Sequence, residues 1–189
     1  MKIYTIIEDV ALLAGSYPSE WVSEDSPGAA SFRRRVLLDL EHCAAEAVMK
    51  CRRDMLTGWR ALPSGQLAAL PDGSRLLPLP PDYLFLYGIR MTDWEREVRV
   101  VLPADHWLAV MQDRGCDALR GSPSRPLVFE GITPEGNRAL RICGSGGDAS
   151  LATGWYMPAP TPDETGEIGI PPAAYRETLR MIVERMGSD

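Results

Sequence analysis

The chain has 189 residues, 45% hydrophobic and 24% charged, a globular composition that excludes intrinsic disorder as its class and suffices for a sizeable core. Its formal net charge of −6 argues against sequence-independent grip on a phosphate backbone, which needs clustered cations. No window approaches the ~20 apolar residues of a membrane span, and the opening MKIYTIIEDVALLAG lacks the basic start and cleavage site of an export signal.

Ile3, Ile7, Val10, Ala11 and Ala14 follow helical spacing up to Gly15 and predict a short first helix. Residues 15 to 31, rich in Ser, Pro and Gly, predict an irregular connection. The strongest local pattern follows: Phe32, Val36, Leu40, Ala44, Ala47, Val48 and Cys51 form one stripe, predicting a helix of about six turns up to Thr57-Gly58, capped by Ser31.

The period then changes. QLAALPDGSRLLPL predicts a hairpin turning at Asp72-Gly73. Pro78, Pro80 and Pro81 fix φ and withhold amide donors, predicting a rigid extended lead-in that ends sheet pairing. The strand after it carries Tyr83, Phe85, Tyr87, Ile89 and Met91 on one face and Leu84, Leu86 and Gly88 on the other, so it reads as covered on both sides. Val98, Val100 and Leu102 alternate with Glu95, Glu97 and Arg99, predicting a further strand with one wet or partner-facing side. ADHWLAVMQD (104–113) predicts a short helix with Trp107, Leu108 and Met111 inward. RPLVFEGI and NRALRICG flank Thr133-Pro134-Glu135-Gly136, predicting a second hairpin. A glycine-rich loop then leads into a short strand around Trp155, Tyr156 and Met157. Last comes a helix opened by Pro171 and Pro172, with Tyr175, Leu179, Ile182, Val183 and Met186 as its stripe. The expected fold is α+β: N-terminal helices, central antiparallel hairpins and a C-terminal helix packing back on the helical part. One domain is expected, with a helical part over about 1–60 and 171–187 and a β-rich part over about 62–160.

Candidate chemistry is sparse. His42 and Cys43 are adjacent, so on a helix they point about 100° apart and cannot share a proton. Cys43, Cys51, Cys116 and Cys143 form no CxxC pair, and free thiols are expected rather than zinc or disulfides. His106 beside Asp105 reads as a surface histidine at a helix start. GSGGD (144–148) resembles a phosphate cradle only in glycine count, lacking the following Lys-Ser/Thr. Glu8-Asp9 and Glu95/Glu97 lack metal-loop spacing. No catalytic, cofactor or metal residue is assigned, and an enzyme is not expected.

Interaction surfaces offer more. Lys2 and Lys50 are the only lysines; biased coding composition explains this first, arginine-rich subunit contacts second. Arg33, Arg34 and Arg35 fall at the expected start of the second helix, where positive charge opposes the macrodipole, which suggests an outside partner. Trp21 and Trp59 sit in or beside loops, and aromatic side chains are enriched at interfaces. For Trp94, Trp107 and Trp155, core packing stands beside that reading. Asp82, Arg96 and Arg99 complete the candidate interface set, Asp82 and Arg96 being expected to matter for assembly rather than turnover.

The order of elements, with LPPDYL before a strand, Asp93-Trp94 followed by Val98, Arg125-Pro126 opening a hairpin with Gly136 in its turn, and the strand Trp155-Tyr156-Met157-Pro158, resembles small neck proteins of tailed bacteriophages. These are head-tail connectors or adaptors that assemble on the portal, of the kind found in phages of Bacteroides-like gut bacteria. The resemblance runs from about the second helix to the end. It implies a non-enzymatic, ring-forming subunit of the virion, often dodecameric and made in the host cytoplasm. Its helices would dock between portal subunits and its hairpins reach the next ring. Genomic DNA would pass without specific binding, and no cofactor or membrane would be involved. A stopper or tail-completion role is the neighbouring alternative. A small cytoplasmic enzyme or ligand-binding domain, its site built from loops around His106 and Gly144, is the alternative of a different class.

Overall fold

The computed structural model describes residues 1–15, 27–114 and 117–187. The fold is α+β, with four helices and two antiparallel sheets among the described residues. The chain divides into two compact units, one formed by residues 1–58 and 159–189 and the other by 59–158.

The first unit is helical. Helix α1 (Ile3–Leu13) buries Ile6 and Val10, so its stripe is centred one residue from the predicted Ile3/Ile7 line. Helix α2 (Pro27–Lys50) buries Phe32, Val36, Leu40, Cys43, Ala44, Ala47 and Val48, a nearly complete match to the predicted stripe. Its bounds differ from expectation. The helix begins before Ser31, which is therefore an interior residue and not the cap, and it ends at Lys50 rather than near Thr57. A separate 3-10 turn at Arg53–Met55 follows. Helix α4 (Pro172–Met186) starts on the expected proline and buries Ala174, Thr178, Leu179, Met181 and Ile182. It packs on both α2 and α1. Tyr175 Oη donates to Asp9 on α1, and Arg185 Nη1 donates to Asp39 of α2 at 3.3 Å. The Met1 amino group donates to the Ile168 carbonyl at 3.0 Å.

The second unit holds the sheets. Strands β1 (Arg60–Ala61), β7 (Leu151–Pro158) and β4 (Tyr83–Met91) form one sheet in the order β1-β7-β4; β2 (Ala68–Ala69), β3 (Arg75–Pro78), β6 (Arg138–Cys143) and β5 (Leu127–Ile132) form the other in the order β2-β3-β6-β5. Both predicted hairpins form. Gly73 takes φ +82°, a left-handed conformation that glycine adopts without a Cβ penalty, and the Gly136 amide closes the second turn on Thr133 at 2.9 Å. The two sheets share one core, with Leu86, Ile89, Met91 and Tyr156 from the first meeting Leu77, Val128, Leu140 and Ile142 from the second, around a buried Trp94.

Several expectations need correction here. Pro78 lies within β3, opposite Ala139, beyond the point where β2 has ended, so the amide it lacks would have met no strand. Pro80-Pro81 is not an extended lead-in but a turn, closed by the Tyr83 amide on the Pro80 carbonyl at 3.0 Å, and there the chain leaves one sheet for the other. In β4 the register against β7 shifts three times, so burial does not follow simple alternation: Leu86 and Ile89 are both in the core. Residues 95–102 form no continuous strand. Val98 exchanges two backbone bonds with Ile89 at 2.8 and 2.9 Å, while Leu102 bonds Val128 and Glu130 of the other sheet at 2.9 and 2.8 Å. The alternating run is a strap between sheets, and its middle residue Val100 is 63% exposed. Helix α3 (Trp107–Asp113) turns Ala109 and Gln112 inward and leaves Trp107 outward, with Leu108 and Met111 only half-buried. The reason is local: Gln112 ties its amide nitrogen to Leu119 O at 2.8 Å and accepts from the Gly121 amide at 2.9 Å. Trp155 is likewise exposed on β7.

Candidate functional site

The arginine triplet sits about two turns into α2, not at its start, so the conflict with the helix dipole that drew attention to it does not arise. Arg33 is half-buried while Arg34 and Arg35 are exposed. At 100° per residue, Arg34, Leu38, Ala45 and Met49 point away from the core stripe Phe32-Val36-Leu40-Ala47. Leu38 is 73% and Met49 57% exposed, and Leu37 beside them is also exposed. The outer side of α2 thus carries Leu37 and Leu38 exposed next to Arg34 and Arg35, with Met49 about three turns further on and exposed Glu41 and His42 between. The sequence carried that signal in Leu37, Leu38 and Met49, which lie off the stripe.

In the second unit, Trp59 and Arg99 converge on Tyr87. The Trp59 ring lies 4.4 Å from Tyr87 and 5.7 Å, edge-on, from Phe85. The Arg99 guanidinium stands 5.5 Å over the same Tyr87 ring, within cation–π range, and its Nε donates to Glu97 Oε1 at 2.6 Å. Glu97 in turn lies over Gly88, where a Cβ would fall 2.6 Å from its carboxyl carbon. Asp82 belongs to a different cluster, accepting from Arg60 Nη1 at 2.6 Å and from Tyr156 Oη at 2.9 Å. Arg96 is exposed. Trp21 lies outside the described residues. Within this unit Trp59 and Arg99 are brought together on Tyr87, while Asp82 joins Arg60 and Tyr156.

The glycine-rich loop borders a cleft of about 440 Å³ lined by Asp72, Asp93, Gln112, Arg120 and Cys143 among others. Asp93 Oδ2 accepts from the Gly146 amide at 2.7 Å, whereas Asp93 Oδ1 and Ser145 Oγ are buried without a partner. Gly144 has φ +92°, and a Cβ there would lie 2.6 Å from the Ser122 amide nitrogen. The loop's first glycine serves a close crossing of two backbone segments. Burial works against ionising Asp72, but the Ser74 hydroxyl and amide and the Arg141 guanidinium outweigh it and hold its carboxyl below the usual range. Burial pushes the Cys143 thiol up to about 11, which suppresses its thiolate at neutral pH. His106 does not line this cleft; it caps α3, its Nδ1 accepting from the Leu108 amide at 3.2 Å. His42 is exposed, and Cys43 is buried with its thiol pKa raised by burial, so the two do not form a pair.

Among the described residues no group of three or more His, Cys, Asp or Glu is placed to hold a metal ion, and no helix is long and apolar enough to cross a membrane. No protein-family model matches the chain, and no curated protein matches it.

Proposed function

We propose that the chain is a structural subunit of a tailed-phage neck, a ring-forming adaptor between portal and tail, located in the virion. The observation that supports this reading is the exposed Leu37-Leu38 pair on the outer side of α2. Single exposed hydrophobic residues are normal, but Leu37 and Leu38 are exposed side by side next to Arg34 and Arg35, and apolar surface beside arginine is a combination interfaces favour. The β5–β6 hairpin offers a second apolar residue at the surface, Ile132 beside its turn, 70% exposed. The net charge of −6 suits a channel that DNA traverses without adhering.

The test is the mass of the purified chain by light scattering with negative-stain imaging, alone and with the portal protein of the same phage. Rings of about twelve copies, formed alone or on the portal, are expected for a closed heterologous assembly. A chain that stays monomeric with its portal overturns the reading. Position in the ring stack separates the adaptor from a stopper or tail-completion protein. The ligand-binding alternative is favoured by one observation, the buried unpartnered Asp93 Oδ1 and Ser145 Oγ beside the 440 Å³ cleft, and gains weight if no assembly forms.

A further inference from the structure

Helix α3 is joined to the β-rich unit by little of its surface. Of its seven residues only Ala109 and Gln112 are buried, while Trp107 is 55% and Val110 39% exposed. Its apolar contact is a small cluster, Ala109 with Phe129 and Cys143 and the half-buried Leu102, Leu108 and Leu127, separate from the larger core around Trp94. Two polar latches complete the attachment. The Gln112 side chain bonds Leu119 O at 2.8 Å and the Gly121 amide at 2.9 Å, and Asp113 accepts from Arg141 of β6 at 2.6 Å. The chain is pinned on both sides of the helix: Leu102 bonds β5, and Gly121 lies so near Cys143 that a Cβ on it would meet the Cys143 carbonyl carbon at 2.8 Å. Two clefts touch α3. Gln112 and Cys143 line the one of about 440 Å³; Ala109, Asp113 and Phe129 line a second of about 530 Å³; and Asp72 borders both.

We propose that α3 is a lid. It lifts from the sheet by breaking the Gln112 and Asp113 latches while the two-sheet core stays folded, and in lifting it joins the two clefts into one cavity floored by Phe129 and Cys143. Local opening selects elements with few buried apolar contacts, and α3 has few. The inward Gln112 makes the opening reversible: once the lid is up, water satisfies its amide, Leu119 O and the Gly121 amide together, so no polar group is left stranded. The lid belongs to the unit 59–158 and is independent of how copies assemble.

Alkylation of Cys143 by iodoacetamide in the native full-length chain, followed by peptide mass spectrometry, reads the opening. Gln112→Ala strands Leu119 O and the Gly121 amide only while the lid is closed, so the Cys143 rate should rise about tenfold or more. Asp113→Ala removes a side chain that is 62% exposed, which spares the fold, and should raise the rate about two- to fivefold. Asp82 ties β4 to Arg60 and Tyr156, bonds that are kept whether the lid is open or closed. Asp82→Ala therefore weakens both forms alike and should leave the rate within about twofold. If Asp82→Ala speeds labelling as much as the lid variants do, Cys143 reacts only through global unfolding and there is no lid. If none of the three changes the rate, the thiol is reached through its cleft with α3 in place, and the lid is equally wrong.

Discussion

Asp82 holds the β4 end of its sheet to its neighbours, since its carboxylate accepts from Arg60 on β1 and from Tyr156 on β7. We expect Asp82→Ala to lower stability by roughly 1–2 kcal/mol in a denaturant titration, because both donors lose their acceptor and one lies partly buried. Burial and the Asp82 carboxylate raise the Tyr156 pKa. The sign follows: the phenol's contribution is complete below the ordinary tyrosine value of about 10 and is lost as pH rises through the higher folded value. Tyr156→Phe should therefore flatten the alkaline limb of the stability profile. The glycines of GSGGD separate by backbone. Gly144→Ala forces a left-handed residue and a Cβ against the Ser122 amide, a predicted loss of roughly 2–4 kcal/mol, whereas nothing lies within 4 Å of a Cβ at Gly147, so Gly147→Ala should stay near neutral; thermal melts of the two variants check the contrast. The sequence marked these glycines as a loop correctly, but that only one is indispensable depends on a crossing with residues 121–122, which no local pattern encodes.

At the scale of elements, the stripe of the long helix α2 was legible and its ends were not, while the predicted inward side of α3 was wrong and that of α4 right only at Leu179 and Ile182. The stripe of α2 is visible because its inward positions repeat at 3.6 residues over most of the helix, yet Ser31 reads as a cap from its type alone. Since the helix begins earlier, Ser31→Ala should be neutral or stabilise by up to about 0.5 kcal/mol through better helix propensity, instead of costing the ~1 kcal/mol of a lost cap; urea midpoints decide between them. The hairpins were legible from Asp72-Gly73 and Pro134 to Gly136. The segment 95–102 was not, because alternation reports which side chains face inward and not which strand accepts the backbone bonds. Val98 and Leu102 satisfy the pattern while bonding to different sheets.

For the whole molecule, the α+β class followed from the change of period near residue 60, where helical spacing gives way to hairpins. The candidate interface was less legible, since assembling Trp59, Tyr87 and Arg99 requires the sheet register of β4 and the strap. The continuous segment 59–158 forms one compact unit with its own core, so expressed alone it should fold; near-ultraviolet circular dichroism carrying the signal of buried Trp94 and a cooperative melt are the expected outcomes. Its ends lie on β1 and β7, which pair directly and so stand about 5 Å apart, making this segment an insertion within the helical unit. The order of synthesis then matters. Helix α2 leaves the ribosome with Val36, Leu40 and Val48 ready for burial, but Leu179 and Ile182 of α4 follow only after the whole of the inserted unit. At about 5–20 residues per second the delay is on the order of ten seconds. During that interval the newborn helices α1 and α2 are without α4, so the helical unit, which carries the proposed contacts between copies, is completed only after the unit inserted within it.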